Sequence, residues 1–410
     1  MSAPVSVASR QDSPVLISSP DPEWAFLCAA VSGEHSDRLR MLAARVRWRV
    51  LFDLAERHGV QPLIYQAASQ SKEVIPASEM RILAQLYQTN VHRAMLLARA
   101  LIHLVDHLAS KELEVLPHKG LALAEALYGD MALRQGGDID LLIHARDLAP
   151  IQDAVRELGY VPQCNLSAAE QRASLKSGYE CVFDAQAGQN LLEVQWAILP
   201  GFYAIDFKQE DLFRRAVSIS VAGHMMKTPS PEDLFLVLSV HAAKHVWGRL
   251  IWLCDLARIM VLPQLDWAWI SDEARKLGIV RILRVSLLLT RRLLHVDIPA
   301  AADLNLGTDP EADSLANEIE ANITAATEFN VESIAYFRLM MRLREKRRDR
   351  MRFLGRLMLT PGPGEWAALQ LPDALFPLYR LVRLWRLGGK LAGRWCNRHH
   401  ELSSDPAGLT

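Results

Sequence analysis

The sequence predicts an α+β protein, with a small mixed-sheet core flanked by N-terminal and C-terminal helical regions. Three observations carry that expectation. Apolar residues recur at helical spacing over residues 36–58 and 77–111, and again through most of 231–295. Short runs of strand formers cluster between residues 113 and 197. Half of the 410 residues are hydrophobic and the net charge is −1, a globular balance that excludes wholesale disorder and a uniformly basic nucleic-acid coat.

Residues 1–20 are polar and rich in Ser, Pro and Val, with no basic segment followed by an apolar run. A loose tail is expected there, not a signal peptide. Residues 21–111 form the N-terminal helical region. One helix over 36–58 stops at Gly59, and a longer one over 77–111 fills a face with Leu and Ala. The core spans 112–228. Strands are expected at 113–117, 139–143, 179–183 and 190–197, with helices at 119–128 and 147–158, the latter closed by Gly159. A helical bundle follows over 229–330, with helices at 231–246, 249–260, 267–276 and 279–295. Ser230-Pro231-Glu232-Asp233 is a helix start: a Ser cap, Pro in the first turn, and acids favoured by the helix dipole. A polar break around 299–312 precedes a last helix that runs into a basic C-terminal region, 331–410, interrupted by a loop at 361–364. No internal repeat of 20–50 residues is present.

Charge is unevenly spread. Residues 338–398 carry fifteen Lys and Arg against Glu345, Asp349, Glu365 and Asp373, which points to an acidic partner for this region. Residues 342–356 read either as a solvated helix face or as a contact with an anionic membrane surface or a phosphorylated lipid-linked acceptor. The stretch from Tyr379 alternates cationic with bulky apolar residues, as an interfacial amphipathic helix does. Nucleic acid is not expected, because stacking aromatics are sparse. No apolar run approaches the ~18 residues of a membrane span. Cys28, Cys164, Cys181, Cys254 and Cys396 are scattered, with no Cys-x-x-Cys. They read as buried small hydrophobes in a reducing compartment, so the expected location is the cytoplasm, at the inner face of the membrane if the basic region binds lipid.

The chemistry centres on Asp138-Ile139-Asp140, at the head of the apolar run Leu141-Leu142-Ile143. On a strand the side-chain period is two, so both carboxylates share a face while Ile139 enters the core. Such a pair repels itself unless a cation intervenes, and hard oxygens of this kind suit Mg²⁺, with Mn²⁺ as the alternative. The bland alternative is a solvated strand end. Three companions argue against it. Lys119-Gly120 falls between a strand and a helix, where a Gly lets an anion approach the helix N-terminus. Arg134 precedes the loop Gln135-Gly136-Gly137, within reach of a triphosphate. Glu193 is an acid among strand formers, costly there unless it faces a polar site.

The run from His118 to Tyr160 resembles the bacterial uncharacterised nucleotidyltransferase family, which has a polymerase-β-like fold and is more distantly similar to the aminoglycoside nucleotidyltransferases. Lys119-Gly120, Tyr128, Arg134, the Asp138-to-Leu142 strand and Leu158-Gly159-Tyr160 carry the resemblance. Glu193-Val194-Gln195-Trp196 is similar to the family's acid-Leu-His-Trp element, with Gln195 where His is usual. The segment from His241 through Lys244, His245, Trp247, Trp252 and Asp255 to Arg258 is similar to its helical signature. Thr360-Pro361, Trp366, Leu371-Pro372 and Leu378-Tyr379-Arg380 look like the subset found with polysaccharide genes.

The resemblance implies transfer of a nucleoside monophosphate from an NTP to a hydroxyl or phosphate acceptor: a saccharide, a lipid-linked group or a peptide. Surface polysaccharide or natural-product biosynthesis is the implied setting. It implies that Asp138, Asp140 and Glu193 hold Mg²⁺, with Glu193 completing the site or accepting the acceptor's proton. Lys119, the Gly120 backbone and Arg134 would neutralise the triphosphate. The superfamily's Gly-Ser pair is here Gly120-Leu121, so Lys119 would supply a point charge where the Ser hydroxyl is missing. Two other readings remain: a nucleotide-binding regulator or scaffold without turnover, and metal-dependent glycosyl transfer from a nucleotide-sugar. His241, Lys244 and His245, at i, i+3 and i+4, share a helix face as substrate contacts, as struts between helices or as metal ligands, though no His-Glu-x-x-His is present. In the family context Asp255 is expected to bond His241 or Lys244. Trp247 and Trp252 read as core or pocket wall, Tyr128 as helix-end packing or pocket lining, and His118 as a cap or a site residue.

Overall fold

The computed structural model describes residues 21–33, 36–70, 74–164, 167–185, 190–325, 330, 333–369 and 371–386. The expected tail over 1–20 and the end of the basic region from 387, with Cys396, lie outside the described residues. Cys28 and Cys254 are buried as expected, whereas Cys181 is half-buried and Cys164, in the loop after residue 162, is exposed.

The described residues begin with five helices: α1 (Pro22–Ser32), α2 (Ser36–Ala43), α3 (Trp48–His58), α4 (Gln61–Gln70) and the 34-residue α5 (Ala77–Ser110). Asp21 caps α1 by accepting from the Glu23 N–H at 3.1 Å. The single helix expected over 36–58 is two. The break falls at Arg47, whose backbone N–H donates to the buried Glu23 carboxylate at 2.7 Å while its Nε donates to the same oxygen at 2.9 Å. That carboxylate lies far away in sequence, so a tertiary contact overrides the helical spacing.

The core runs β1 (Val115–Pro117), α6 (Leu121–Tyr128), β2 (Asp138–Ile143), α7 (Leu148–Glu157), β3 (Tyr160–Pro162), α8 (Ala168–Ser177), β4 (Glu180–Ala185), β5 (Leu191–Gln195), α9 (Gln209–Arg214), β6 (Val217–Val221) and β7 (His224–Thr228). The five-stranded sheet has the order β1-β2-β5-β4-β3. β2 and β5 run parallel, and the other neighbours pair antiparallel. The sheet is therefore mixed, as expected. One face sends Ile139, Leu141, Ile143, Phe183, Leu192 and Val194 into a cluster with Leu97, Leu101 and Leu104 of α5 and Ile151 and Val155 of α7. The opposite face carries the polar residues of β2, β4 and β5. The β6–β7 hairpin was not anticipated. Its turn residues Ala222 and Gly223 both have positive φ, 50° and 79°, the geometry whose twist matches a two-residue hairpin. The alternation across 217–228 was its legible signal.

The remaining helices are α10 (Pro231–Lys244), α11 (Leu250–Met260), α12 (Trp267–Leu277), α13 (Val280–Leu294), α14 (Ala300–Leu306), α15 (Pro310–Thr324), α16 (Ile334–Arg342), α17 (Arg347–Leu359) and α18 (Pro363–Ala368). The Ser230 hydroxyl caps α10, accepting from the Asp233 N–H at 3.2 Å. The supposed polar break holds α14, which buries Ala302 and Leu306. One apolar cluster joins Phe26 and Leu27 of α1, Leu51 of α3, Leu142 of the sheet, the cores of α10, α11, α13 and α15, and Phe353 of α17. Among the described residues no helix is long and apolar enough to cross a membrane.

Candidate active site

β2 and β5 set the site. Their parallel register places Asp138 beside Leu191 and Asp140 beside Glu193, so Asp138, Asp140 and Glu193 share the face opposite Ile139. β4 adds a fourth acid that sequence reasoning missed. Glu180 pairs in register with Gln195 and lies on the same face. The alternation of Glu180 with apolar Cys181 was available in the sequence, but only the sheet order shows which strand stands beside β5.

Gln195 and Lys119 hold these acids together. Lys119 Nζ lies 3.0 Å from Asp140 Oδ1. The Gln195 side-chain amide faces Asp140 Oδ1 at 3.1 Å, Glu193 Oε2 at 2.8 Å and Glu180 Oε2 at 3.3 Å. An amide has two protons to give and three carboxylate oxygens stand before it. The local charge is correspondingly unbalanced. Burial, reinforced by the Asp140 carboxylate, pushes Glu193 up to about 8. Burial and the same neighbour raise Asp138. Asp140 goes the other way: against the burial penalty, the Lys119 ammonium holds it at about 2. Asp140, reciprocally, raises Lys119 in spite of its burial.

The acids open into a cavity of about 610 Å³. Lys119, Gly120 and the 134–137 loop line it, as do His241, Lys244, His245 and Trp252 from α10 and α11. Arg93 and Arg249 add further cations. Gly120 is favoured where it stands by its backbone, φ +56° and ψ −130°, a conformation that residues with a side chain rarely adopt. The turn brings the start of α6 over the Asp138 end of β2.

Two expectations are corrected. Asp255 bonds neither His241 nor Lys244. It is fully buried, accepts from the Tyr128 hydroxyl at 2.8 Å, and takes Arg134 Nε at 3.1 Å and Nη2 at 2.9 Å. α11 turns Asp255 toward α6, away from the cations of α10. Arg134 is accordingly a clamped, buried guanidinium, not an extended arm, although it still lines the cavity. Removing one partner of such a buried pair typically costs about 3–5 kcal/mol, so the Tyr128–Asp255–Arg134 group fixes α6 and the glycine loop against α11. Tyr128 thus packs and does not line the cavity.

Lys244 donates to the Tyr179 hydroxyl at 2.8 Å and lies 4.5 Å over that ring. His241, His245 and Trp252 form a ring cluster with centroids 4.9–5.3 Å apart. Burial lowers Lys244, takes His241 well below its ordinary value and brings His245 to about 4, so both imidazoles are neutral at pH 7. His118 is buried and held at about 3 by burial and by Lys119; Gln195 and the Leu116 backbone are its polar neighbours, but neither reaches a ring nitrogen with good hydrogen-bond geometry. Trp247 is core, its indole N–H donating to Ser286 at 3.0 Å.

Among the described residues no three His, Cys, Asp or Glu side chains are grouped closely enough to hold a metal ion as they stand, and Lys119 and Gln195 both contact Asp140 Oδ1. The donor set nonetheless suits a hard divalent cation. The groups are carboxylates on one face, and burial together with the Asp140 charge keeps a proton on Glu193 that a cation would displace.

No curated protein and no solved structure matches this chain. A family model described as an uncharacterised nucleotidyltransferase matches residues 44–295. That span is more than half of the 410 residues and includes every cavity residue named above. On that match, the chain belongs to the uncharacterised nucleotidyltransferase family.

Proposed function

We propose that the cavity transfers a nucleoside monophosphate from an NTP to a hydroxyl or phosphate acceptor, with Mg²⁺ or Mn²⁺ held by Asp138, Asp140 and Glu193. The observation that carries this reading is the parallel register of Asp140 with Glu193 beside Asp138, at the floor of an open cavity walled by cations. Bound divalent ions would supply charge neutralisation at the triphosphate and acidify the acceptor hydroxyl. The chain's own residues do the rest. Lys119, Lys244, Arg93 and Arg249 balance phosphate charge, and the Gly120 turn lets the phosphates come close to the backbone. Arg134 keeps that turn in place through Asp255. In the absence of metal Glu193 keeps a proton, and bound divalent ions would displace it so that the carboxylate completes the metal site. Ile198, Ile251 and Trp252 supply apolar wall that limits water. The acceptor is a saccharide, a lipid-linked group or a peptide, and the resemblance of the C-terminal motifs supports a setting in surface polysaccharide or natural-product biosynthesis.

One contact favours a second reading. The Lys119 ammonium already sits on Asp140, as a metal would, which fits a nucleotide-binding regulator that does not turn over.

Isothermal titration of each NTP with Mg²⁺, on the wild type and on Asp138→Ala/Asp140→Ala, combined with a pyrophosphate assay over an acceptor set, separates the two. Metal-dependent binding of one NTP, lost in the variant and followed by pyrophosphate release, supports transfer. Binding that ignores a chelator and releases no pyrophosphate supports the regulator. Release of a nucleoside diphosphate from a nucleotide-sugar would mean glycosyl transfer, and no nucleotide binding at all would refute both readings.

A further inference from the structure

The C-terminal helices turn apolar side chains outward in an ordered way. On α17, Phe353 is buried while Met351, Leu354 and Met358, at i, i+3 and i+7, face solvent, Met351 at 66% exposure. In the helical stretch 379–386, Tyr379 is buried and its hydroxyl donates to the Leu369 carbonyl at 2.7 Å. Arg383, one turn on, donates to Glu365. The opposite side carries Leu381 at 62% and Trp385 at 78% exposure, with Leu378 one turn before. The two helices are neighbours, since Arg383 Nε donates to the Leu357 carbonyl at 2.6 Å. A helix on a water-facing surface normally keeps its outer stripe polar. Ordered apolar exposure of this kind marks an interaction face.

The cations around these stripes divide into two sets. Arg352 and Arg356 are engaged by Asp206, and Arg383 and Arg386 by Glu365. Lys346, Arg347, Arg348 and Arg380 are exposed; Lys346 acts on the adjacent Glu345 through its charge alone, and none of the four forms a salt bridge among the described residues. Three of these stand at the N-terminal end of α17, where the helix dipole disfavours positive charge. That cost is relieved by an external anion. Between α8 and the ends of these helices lies a cleft of about 640 Å³, where Lys176 and Arg380 alternate with Leu359, Phe376 and Pro377. Cations beside outward Leu, Met and Trp are the arrangement that sits at the boundary between lipid headgroups and acyl chains. A second copy of this chain would bring the same unpaired cations together and be repelled.

We propose that the α17 and 379–386 face docks on an anionic lipid bilayer, with Met351, Met358, Leu381 and Trp385 entering at headgroup level and Lys346, Arg347, Arg348 and Arg380 meeting the lipid charges. The surface lies outside the cavity and does not depend on nucleotide transfer.

Co-sedimentation of the full chain with vesicles tests it, using phosphatidylcholine alone and phosphatidylcholine with a quarter phosphatidylglycerol, at low and high salt. Partitioning at least about tenfold stronger onto the anionic vesicles, weakened by salt, is expected. Met351→Asp/Trp385→Asp lowers it by about tenfold or more. Lys346→Glu/Arg347→Glu/Arg348→Glu, on exposed positions, removes the preference for anionic lipid while leaving circular dichroism and the melting temperature unchanged. Equal or absent partitioning on the two vesicle types overturns the proposal. So does wild-type binding by both variants, or a solution dimer that the apolar variant converts to monomer.

Discussion

At Glu193, burial and the neighbouring Asp140 carboxylate act in the same direction, and the side chain keeps a proton up to about pH 8. An unfolded chain releases that proton near the ordinary value of 4.5, so between these limits the folded state binds more protons. The contribution of Glu193 to stability is therefore full below pH 4.5 and is lost as pH rises through about 8. Asp140 behaves oppositely, its share being present above 3.8 and lost only as pH falls through about 2. The melting temperature of the metal-free wild type should fall relative to Glu193→Gln between pH 5 and 8 and then run level with it. Parallel curves across that range would show that Glu193 does not carry the proton. The two aspartates and Glu193 were legible in the sequence because acids on an apolar strand stand out. Glu180 was not chosen, and the Arg134–Asp255 clamp was missed, because each depends on a neighbour distant in the chain.

Among the elements, the junction of α3 with α11 is the most exacting. α3 ends at Gly59 with φ +70°, its N–H returning to the carbonyls of Ala55 and Glu56. A Cβ at Gly59 would stand 3.2 Å from Ile251 Cγ2, and the adjacent His58 Nδ1 accepts from the Leu250 N–H at 3.3 Å. Gly59→Ala should therefore cost about 1–2 kcal/mol from the left-handed backbone, with the close approach to Ile251 adding to it. Denaturant titration measures the loss, and a change of a few tenths would mean that the junction relaxes freely. Gly59 was read correctly as a stop from the sequence, since a left-handed end is a local property. The split of 36–58 was not, because the Glu23 carboxylate that interrupts it comes from another helix.

For the whole molecule, the family match ends at residue 295 while the core does not. Leu315, Ala316, Ile319 and Ile323 of α15, Phe353 of α17, and Phe26 and Leu27 of α1 all belong to the cluster that holds α11 and α13. A fragment cut to 44–295 should expose that surface, bind a hydrophobic dye and precipitate. A soluble fragment that melts as cooperatively as the full chain would show that the outer helices are dispensable. Local chemistry in the sequence determined the elements that are nearly self-contained: α5, the Ser230-capped α10, and a β2 strand with both aspartates on one face. Helical spacing, caps and the two-residue period act within a few residues, so they can be read directly. Only the tertiary structure decided that β2 runs parallel to β5, bringing Glu193 beside Asp140. It alone set Lys119 on that carboxylate and turned Asp255 to Arg134. Those outcomes depend on sheet order and helix packing, which join residues 21 to 121 positions apart, and no local spacing encodes which distant strand or helix becomes the neighbour.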